Sequence, residues 1–244
     1  GVLASVVRHP AVAEIEFAQL AGANPGRVIA GLGHGAPGWM RQMGVKQRSP
    51  LTALEECATG IRALLDGATI SSRGDYFSFE EIGLTHVPAQ RVPIFTGVHG
   101  AKSLALSGRV ADGTLLGWFS SPDYVRWAID QIDAPGHIAA TLAITSIDRD
   151  GRAARDRIRP FVASSVDAMV RSPQTSETDV ATADPLDVYA VAGDPDRCSA
   201  SVQALFEAGS DQVVFVTSPG GLVDGARMRS QVDLLAEVLL PAFR

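Results

Sequence analysis

Short β-rich runs alternate with longer stretches of helical spacing along the whole of this 244-residue sequence, and this alternation limits the fold more than any other feature. The predicted strands cover residues 2–7, 27–32, 92–96, 113–118, 138–147 and 212–217. Strands separated by helices are typical of βα units, which build parallel sheets. The pattern therefore predicts an α/β fold with six such units. Periodicity leaves two architectures open, an open doubly wound sheet and most of a barrel.

The segments between these runs carry their own start signals. Ser49 before Pro50 predicts the start of a helix over residues 50–66, and Asp194 before Pro195 predicts the start of another. Pro10 predicts the first turn of a helix, because Val12, Ile15, Ala18 and Leu20 follow it at near-helical spacing. The other predicted segments are helices over 101–109, 123–132, 151–170 and 225–240, a surface hairpin or an extended excursion over 69–79, and a loop over 172–187.

Composition argues against several classes of protein. The net charge of -6 does not suit a nucleic-acid-binding surface, which needs a basic excess. No apolar run approaches the roughly 18 residues that span a bilayer, and no charged-then-apolar signal segment opens the sequence. Cys57 and Cys198 have neither a disulfide framework nor a metal-ligand spacing. Both lie in helical patterns, so we interpret them as small core residues of a cytoplasmic protein.

The length suits one domain, and we expect residues 1–244 to form it, since an α/β barrel has about 250 residues. The sequence begins at Gly1, and a strand-like run follows almost at once. A native terminus seldom starts in the middle of an element. We therefore expect the sequence to be cut off at its N-terminal end.

Four groups of segments, taken in order, carry a resemblance to a known family. They are Arg8-His9-Pro10 with residues 26–35; residues 54–56 and 61–67 with Gly74-Asp75-Tyr76-Phe77; residues 92–102 with 106–113; and residues 191–196 with 208–214. A single glycine-rich strand end is common. Together, over nearly the whole chain, they resemble the luciferase-like monooxygenase superfamily, and in particular its deazaflavin-dependent oxidoreductase branch.

The resemblance implies an α/β fold of the TIM (β/α)8-barrel type. In that family two βα units precede the strand that leads to Arg8-His9-Pro10, so the six runs correspond to strands three to eight of an incomplete barrel. The loops after the two earlier strands help to build the family's active site. The resemblance therefore implies that the fragment alone is inactive.

The resemblance also implies the chemistry. It points to an oxidoreductase that uses the deazaflavin coenzyme F420 and transfers hydride to or from a small organic substrate. The alternatives are an FMN-dependent luciferase-type monooxygenase, which activates oxygen, a non-catalytic flavin-binding homologue, and an unliganded barrel remnant. A homodimer is compatible with the family.

One glycine-rich segment is the strongest candidate for cofactor binding. It consists of Gly97, Val98, His99, Gly100, Ala101 and Lys102, and we call it the 97–102 segment. It follows a strand and opens a helix, so its backbone N–H groups favour an anion. The resemblance implies that it grips the phosphate of the flavin or deazaflavin. The alternative is a tight turn that needs glycine for a positive φ.

Gly33, His34 and Gly35, which we call the 33–35 loop, also follow a strand, and glycines there let a planar ring approach the backbone. His9, His34 and His99 all come just after strands and are the candidate catalytic residues, as acids or as hydrogen-bond donors. Each is alternatively a polar loop residue.

Two other residues have structural interpretations. Asp112 precedes a strand on the opposite face, so we predict a structural hydrogen-bonding role for it. Trp118, at a strand end, either walls the pocket or packs in the core. The histidines have no carboxylate at a metal-binding spacing, so no metal site is predicted. The sequence has no Ser-His-Asp arrangement, phosphate-binding P-loop or G-x-G-x-x-G pattern.

Overall fold

The computed structural model describes residues 1–45, 47–168, 172–176, 184–217 and 225–243. The chain divides into two compact units. The first consists of residues 1–115 and 131–137, and the second of residues 116–130 and 138–244. This division does not test the expectation of a single domain, which stays a prediction.

The first unit contains the amino-terminal βα elements. They are β1 (Leu3–Ala4), α1 (Pro10–Ala23), β2 (Ala30–Gly33), α2 (Pro37–Gln42), α3 (Pro50–Leu65), β3 (Ile70–Arg73), β4 (Ser78–Ile82), β5 (Ile94–Gly97), α4 (Ala101–Val110) and β6 (Gly113–Leu116). Four of the strands are parallel, in the order β1-β2-β5-β6. Their register pairs Gly33 with both Ala4 and Gly97, so the carboxyl ends of three strands lie side by side.

Local sequence explains where the helices of this unit begin. The Ser49 hydroxyl accepts a hydrogen bond from the Thr52 backbone N–H at 3.3 Å, and Pro50 occupies the first turn of α3. The buried face of α3 includes Leu54, Ile61 and other apolar residues at helical spacing, as predicted. This helix is the element that the sequence marks most clearly.

Strands β3 and β4 form the predicted hairpin, as an antiparallel pair outside the parallel strands. The carboxylate of Glu56, on α3, accepts hydrogen bonds from the backbone N–H groups of Asp75, Tyr76 and Phe77 at 2.8–3.0 Å. One helix side chain therefore holds the hairpin's turn against the unit.

The second unit has its own parallel strands and helices. Its elements are α5 (Pro122–Ile132), β7 (Ile138–Ile147), α6 (Gly151–Ala168), α7 (Pro173–Ser176), α8 (Pro185–Tyr189), β8 (Ala190–Gly193), α9 (Pro195–Glu207), β9 (Gln212–Val216), α10 (Gly225–Val238) and a 3-10 helix (Leu240–Phe243). Strand β7 pairs in parallel with β9 through residues 140–144 and with β8 through residues 144–147. Its core packs Ile144 against side chains of α6 and α8, among them Ile158 and Leu186.

The parallel strands confirm the α/β prediction, with differences of detail. The described residues contain seven parallel strands where six were predicted, because β8 was missed. Its sequence, Ala-Val-Ala-Gly, has a single β-branched residue and gives little strand signal. The predicted strand 2–7 is limited to β1, since residues 5–7 form a turn.

Three helical segments also differ from the predictions. The helix α2 was not predicted, α7 lies within the predicted loop 172–187, and α8 begins within that loop. Asp184 and Pro185 start α8 by the same capping chemistry as Asp194 and Pro195, but the polar stretch around them hid the signal. Residues 177–183 of that loop, and the last two residues of the helix predicted over 151–170, lie outside the described residues.

Candidate active site

The two predicted glycine-rich segments meet at the carboxyl edge of the first unit's parallel strands. Gly33 ends β2 and Gly97 ends β5, and the two are register partners. At the end of β1, the Ser5 backbone N–H donates to the Gly33 carbonyl oxygen at 2.8 Å. The 33–35 loop and the 97–102 segment therefore start from neighbouring points.

His34 links this edge to two helices. Its Nδ1 lies 3.1 Å from the Pro50 carbonyl oxygen, and its Nε2 lies 2.9 Å from the Ser103 hydroxyl oxygen. A carbonyl oxygen can only accept, so Nδ1 carries the proton and the Ser103 hydroxyl donates to Nε2. The Gln47 side-chain amide also donates to the His34 carbonyl oxygen at 2.7 Å. Both the ring and the backbone of His34 are thus held in place.

His34 and His99 are close enough for their charges to interact. Burial lowers the pKa of His34, the hydrogen bond to Pro50 opposes that shift, and a charge on His99 lowers it further. Although His99 is exposed by surface area, the surrounding protein desolvates its ring enough to lower its pKa as well. Both imidazoles are therefore neutral at neutral pH.

The start of α4 is open towards solvent. Gly100 has φ -99° and ψ 150°, and no side chain caps the helix there. A Cβ added at Gly100 would meet no atom within 4 Å. The first N–H groups of a helix have no partner within it, and Lys102 stands exposed in this first turn. Open backbone donors beside a lysine suit a phosphate group.

Conformation does not explain the glycines of the 97–102 segment, because neither Gly97 nor Gly100 has a positive φ. Packing explains Gly97 and Gly33, since a Cβ at either would lie 2.9 Å from a methyl of Val2. Gly35 differs, with φ +77° and with Met40 and Ala4 in the way of a Cβ. Gly100 is the glycine that neither constraint requires.

Ser5 adds an unused polar group at the same edge. Its side chain is fully buried, and its hydroxyl oxygen has no hydrogen-bond partner among the described residues. A buried hydroxyl without a partner costs free energy unless a ligand or water satisfies it. The open start of α4 and this hydroxyl both fit a cofactor with an anionic group and a polar ring.

The family model of the luciferase-like monooxygenases matches residues 1–212. The chain belongs to this family. A 5,10-methylenetetrahydromethanopterin reductase of Methanolobus tindarius is 28% identical over 88% of this chain and 75% of its own length. An F420-dependent hydroxymycolic acid dehydrogenase of Mycobacterium tuberculosis is 31% identical over 86% of this chain and 62% of its own length.

A solved structure gives the same result for the fold. The coenzyme F420-dependent tetrahydromethanopterin reductase of Methanopyrus kandleri superposes with a TM-score of 0.79 at 21% identity, over all of this chain and 82% of that one. The α/β fold of this luciferase-like protein is therefore that of its barrel relatives.

The third candidate histidine is held elsewhere in the luciferase-like chain. His9 caps α1, where its Nδ1 accepts from the Ala11 N–H at 3.2 Å. Its Nε2 lies 3.1 Å from the Ser78 carbonyl oxygen, and its ring packs edge-on against Phe77 and Phe79. The described contacts join His9 to the hairpin, whereas those of His34 join it to α3 and α4.

Two further predictions have structural answers. The Asp112 carboxylate accepts from the Ile94 N–H at 2.7 Å and pairs with Arg62 and Arg91, which confirms its structural role. Trp118 is 39% exposed and touches the Phe161 ring edge-on, so it is not a core residue.

Sequence reasoning missed Ser103, Gln47 and Ser5. Ser103 lies three residues after Gly100. The sequence signal that could have identified it is a hydroxyl in the first turn of a helix that begins after a glycine. Gln47 and Ser5 carry no such signal, because their roles depend on contacts between distant parts of the chain.

No helix in the described part of the chain is long and apolar enough to cross a bilayer. Nor do three His, Cys, Asp or Glu side chains within the described ranges come together as metal ligands.

Proposed function

We propose that this chain is a coenzyme F420-dependent oxidoreductase that transfers hydride to or from a small organic substrate. The observation that carries the proposal is the open, lysine-flanked start of α4 at Gly100, beside the neutral pair His34 and His99. Family membership and the F420-dependent relatives support the choice of cofactor.

Each segment has a distinct role in this proposal. The backbone of the 97–102 segment holds the cofactor's phosphate, with Lys102 adding positive charge. The 33–35 loop lies against the ring, and the Ser5 hydroxyl supplies a polar contact. When bound, the deazaflavin supplies a carbon that takes or gives hydride where a flavin has its N5 atom.

We assign different roles to His34 and His99. Both ring nitrogens of His34 are engaged, by Pro50 and Ser103, so His34 is a positioning residue that joins the 33–35 loop to α3 and α4. His99 is the more exposed of the two, and we assign it the contact with ligand. A neutral imidazole N–H there donates to a ring carbonyl or to a substrate oxygen.

Gly100→Val tests the phosphate assignment. The backbone angles of Gly100 lie in the β region, which valine prefers, and the added methyls enter open space, so the fold is retained. We expect F420 affinity to fall about tenfold or more, as for the loss of one charge-assisted hydrogen bond. Fluorescence titration of the full-length protein measures it.

Gly225→Val is the matched control. It adds the same side chain at the start of another helix, α10, also with no atom within 4 Å of the new Cβ. If the Gly100 variant kept its fold and its F420 affinity, the assignment of the 97–102 segment as the phosphate-binding site would be wrong.

The alternative function is an FMN-dependent monooxygenase, since the family's description names monooxygenases. Parallel titrations with F420 and FMN separate the two: tight FMN binding with oxygen consumption and no F420 affinity overturns our choice. Binding of F420 without hydride transfer to any substrate identifies a non-catalytic homologue.

Location and assembly belong to the same proposal. The buried thiols Cys57 and Cys198 and the net negative charge support a cytoplasmic protein that does not bind nucleic acid. We include a homodimer, which sedimentation of the full-length protein tests.

A further inference from the structure

A second cleft lies within the first unit, away from the strand ends. It is formed by α1 and by residues 82–89, which start at the last residue of β4, and its volume is about 600 Å³. Small-molecule pockets commonly have volumes of about 300–1,000 Å³. Its lining is mostly apolar: Ala11, Val12, Ile15, Ala18, Gly22, Ile82, Leu84, Val87, Pro88 and Ala89, with Glu14, Gln19, Gly83, Thr85 and His86.

Helix α1 has exposed apolar side chains in addition to its buried ones. Val12, Ile15 and Leu20 are each about half exposed, while Pro10, Ala13 and Ala21 are buried. Exposed apolar surface that lines a cleft is typical of a binding site. Val12 and Ile15 line the cleft, so its apolar wall is open to an occupant.

Glu14 is the unusual member of the lining. Glu14 is 1% exposed, and its Oε2 atom has no hydrogen-bond partner among the described residues. Burial raises the pKa of this carboxyl to about 7. A buried carboxylate without a partner is costly and is normally found paired.

The described lining of the cleft supplies no permanently charged counter-ion for Glu14. Among the residues that line the cleft, His86 is the other ionisable side chain, and it is exposed. Helix α3 packs against α1 but contributes no residue to this lining. A cation that pairs with Glu14 must therefore come with the occupant.

We propose that this cleft binds a small apolar molecule carrying one protonated amine, whose ammonium group pairs with the Glu14 carboxylate while its hydrocarbon part covers Val12 and Ile15. The apolar walls and the single buried acid are complementary to that combination of groups. The site is independent of the oxidoreductase proposal, since none of its lining belongs to the 33–35 loop or the 97–102 segment.

The first experiment compares two probes of the same shape by calorimetry on the full-length protein. 1-Adamantylamine carries the charge, and 1-adamantanol is its neutral counterpart. We expect the amine to bind about tenfold or more tightly than the alcohol, as for a charge-assisted hydrogen bond. Glu14→Gln keeps the shape of the side chain and should abolish that preference. Equal affinities in the wild type, or a preference that survives in the variant, overturn the proposal.

The pH dependence gives a second readout. Glu14 is neutral below its raised pKa and ionised above it, so amine affinity should rise about tenfold between pH 6 and pH 8. Alcohol affinity should stay constant. His86→Gln should leave this dependence in place, and a dependence that follows His86 rather than Glu14 contradicts the assignment.

A third variant covers the case in which Glu14→Gln fails to fold. Gly22 lines the cleft and has open space around it, so Gly22→Leu fills the cleft and improves the helix. Both probes should then bind less tightly, and unchanged binding places the probes elsewhere. F420 affinity should not change in any of these variants.

The other occupant to exclude is a second copy of the chain. If sedimentation shows a dimer that Val12→Asp dissociates, and neither probe binds until it does so, the cleft is a subunit contact and the small-molecule proposal is wrong.

Discussion

Asp112 binds three other parts of the first unit through one carboxylate. It accepts from the Ile94 N–H at the start of β5, and it pairs with Arg62 of α3 and with Arg91. Burial alone would raise the pKa of Asp112, but the Ile94 hydrogen bond and the two guanidinium groups hold it below its usual value. Its place before a strand, on the face away from the carboxyl ends, was enough to predict a structural role from the sequence.

Asp112→Asn should lower the free energy of unfolding by about 2–3 kcal/mol, because Arg62 is then left largely buried without its counter-ion. Urea unfolding measures it. Asp123→Asn, which breaks an exposed pair with Arg126, is the control and should cost less than about 1 kcal/mol. Equal losses in the two variants would contradict the role given to Asp112.

The same variant has a defined pH dependence. A depressed pKa means that Asp112 stabilises the fold above the ordinary carboxyl range and loses that contribution as the pH falls through the folded-state value. The difference in stability between wild type and Asp112→Asn should therefore shrink between about pH 6 and about pH 3.

His34 marks the limit of prediction for single residues. Its position after a strand identified it as a site residue, but its partners Pro50 and Ser103 are 16 and 69 positions away. Only the folded chain shows that both of its nitrogens are engaged. No local pattern contains that information.

His99→Gln should raise the pKa of His34, because the neighbouring positive charge that disfavours its protonation is removed. Titration of the His34 ring protons by NMR measures the change. His86→Gln removes an exposed histidine of the 82–89 segment and should leave the His34 titration unchanged. If the pKa of His34 were the same in the wild type and in His99→Gln, the charge interaction between the two histidines would be contradicted.

At the scale of elements, β5, α4 and β6 are joined by a chain of buried hydroxyl groups. Thr96 donates to Ser107 at 2.5 Å, and Ser107 and Thr114 are 2.6 Å apart. The Thr114 hydroxyl oxygen also lies 2.8 Å from the Nε2 atom of His137. The three hydroxyl side chains are fully buried, so each depends on the next for its hydrogen bond.

Ser107→Ala should destabilise the protein by about 1–3 kcal/mol, since it leaves the hydroxyls of Thr96 and Thr114 buried without this partner. Urea unfolding measures the loss. Ser201→Ala removes an exposed hydroxyl from a helix and should change stability by less than about 0.5 kcal/mol. The triple variant with Thr96→Val and Thr114→Val should recover part of the loss, because none of the three buried hydroxyl groups is then left without a partner.

Elements were predicted from sequence where the local signals were strong: capping and periodicity agree in α3, and β7 is a long, nearly continuous apolar run. They were missed where the chain depends on tertiary contacts. The four residues of β8 have little strand propensity and are held by pairing with β7, and the start of α8 is surrounded by polar residues that are typical of a loop. The observed strand boundaries differ from the predicted ones for the same reason, because pairing register rather than composition fixes where a strand ends.

At the scale of the whole molecule, periodicity left the choice between an open sheet and a barrel unresolved. The order of several weak segments selected the family, and the fold it implied is the one that the chain has. The missing amino-terminal strands and the inactivity of the fragment stay predictions. The cleft beside Glu14 gave no signal in the sequence, since a glutamate in a helix is ordinarily a solvated residue.

The three hydrogen bonds that Glu56 accepts fix the turn of the β3–β4 hairpin through its backbone. They recognise only N–H groups, which are the same in any residue other than proline. The strands are held by their side chains, since Phe79 packs against Gly60 of α3 and the His9 ring packs edge-on against Phe77 and Phe79. A designer could therefore replace Asp75 and retain the docking of the turn, provided that Glu56, Gly74 and the two phenylalanines are kept.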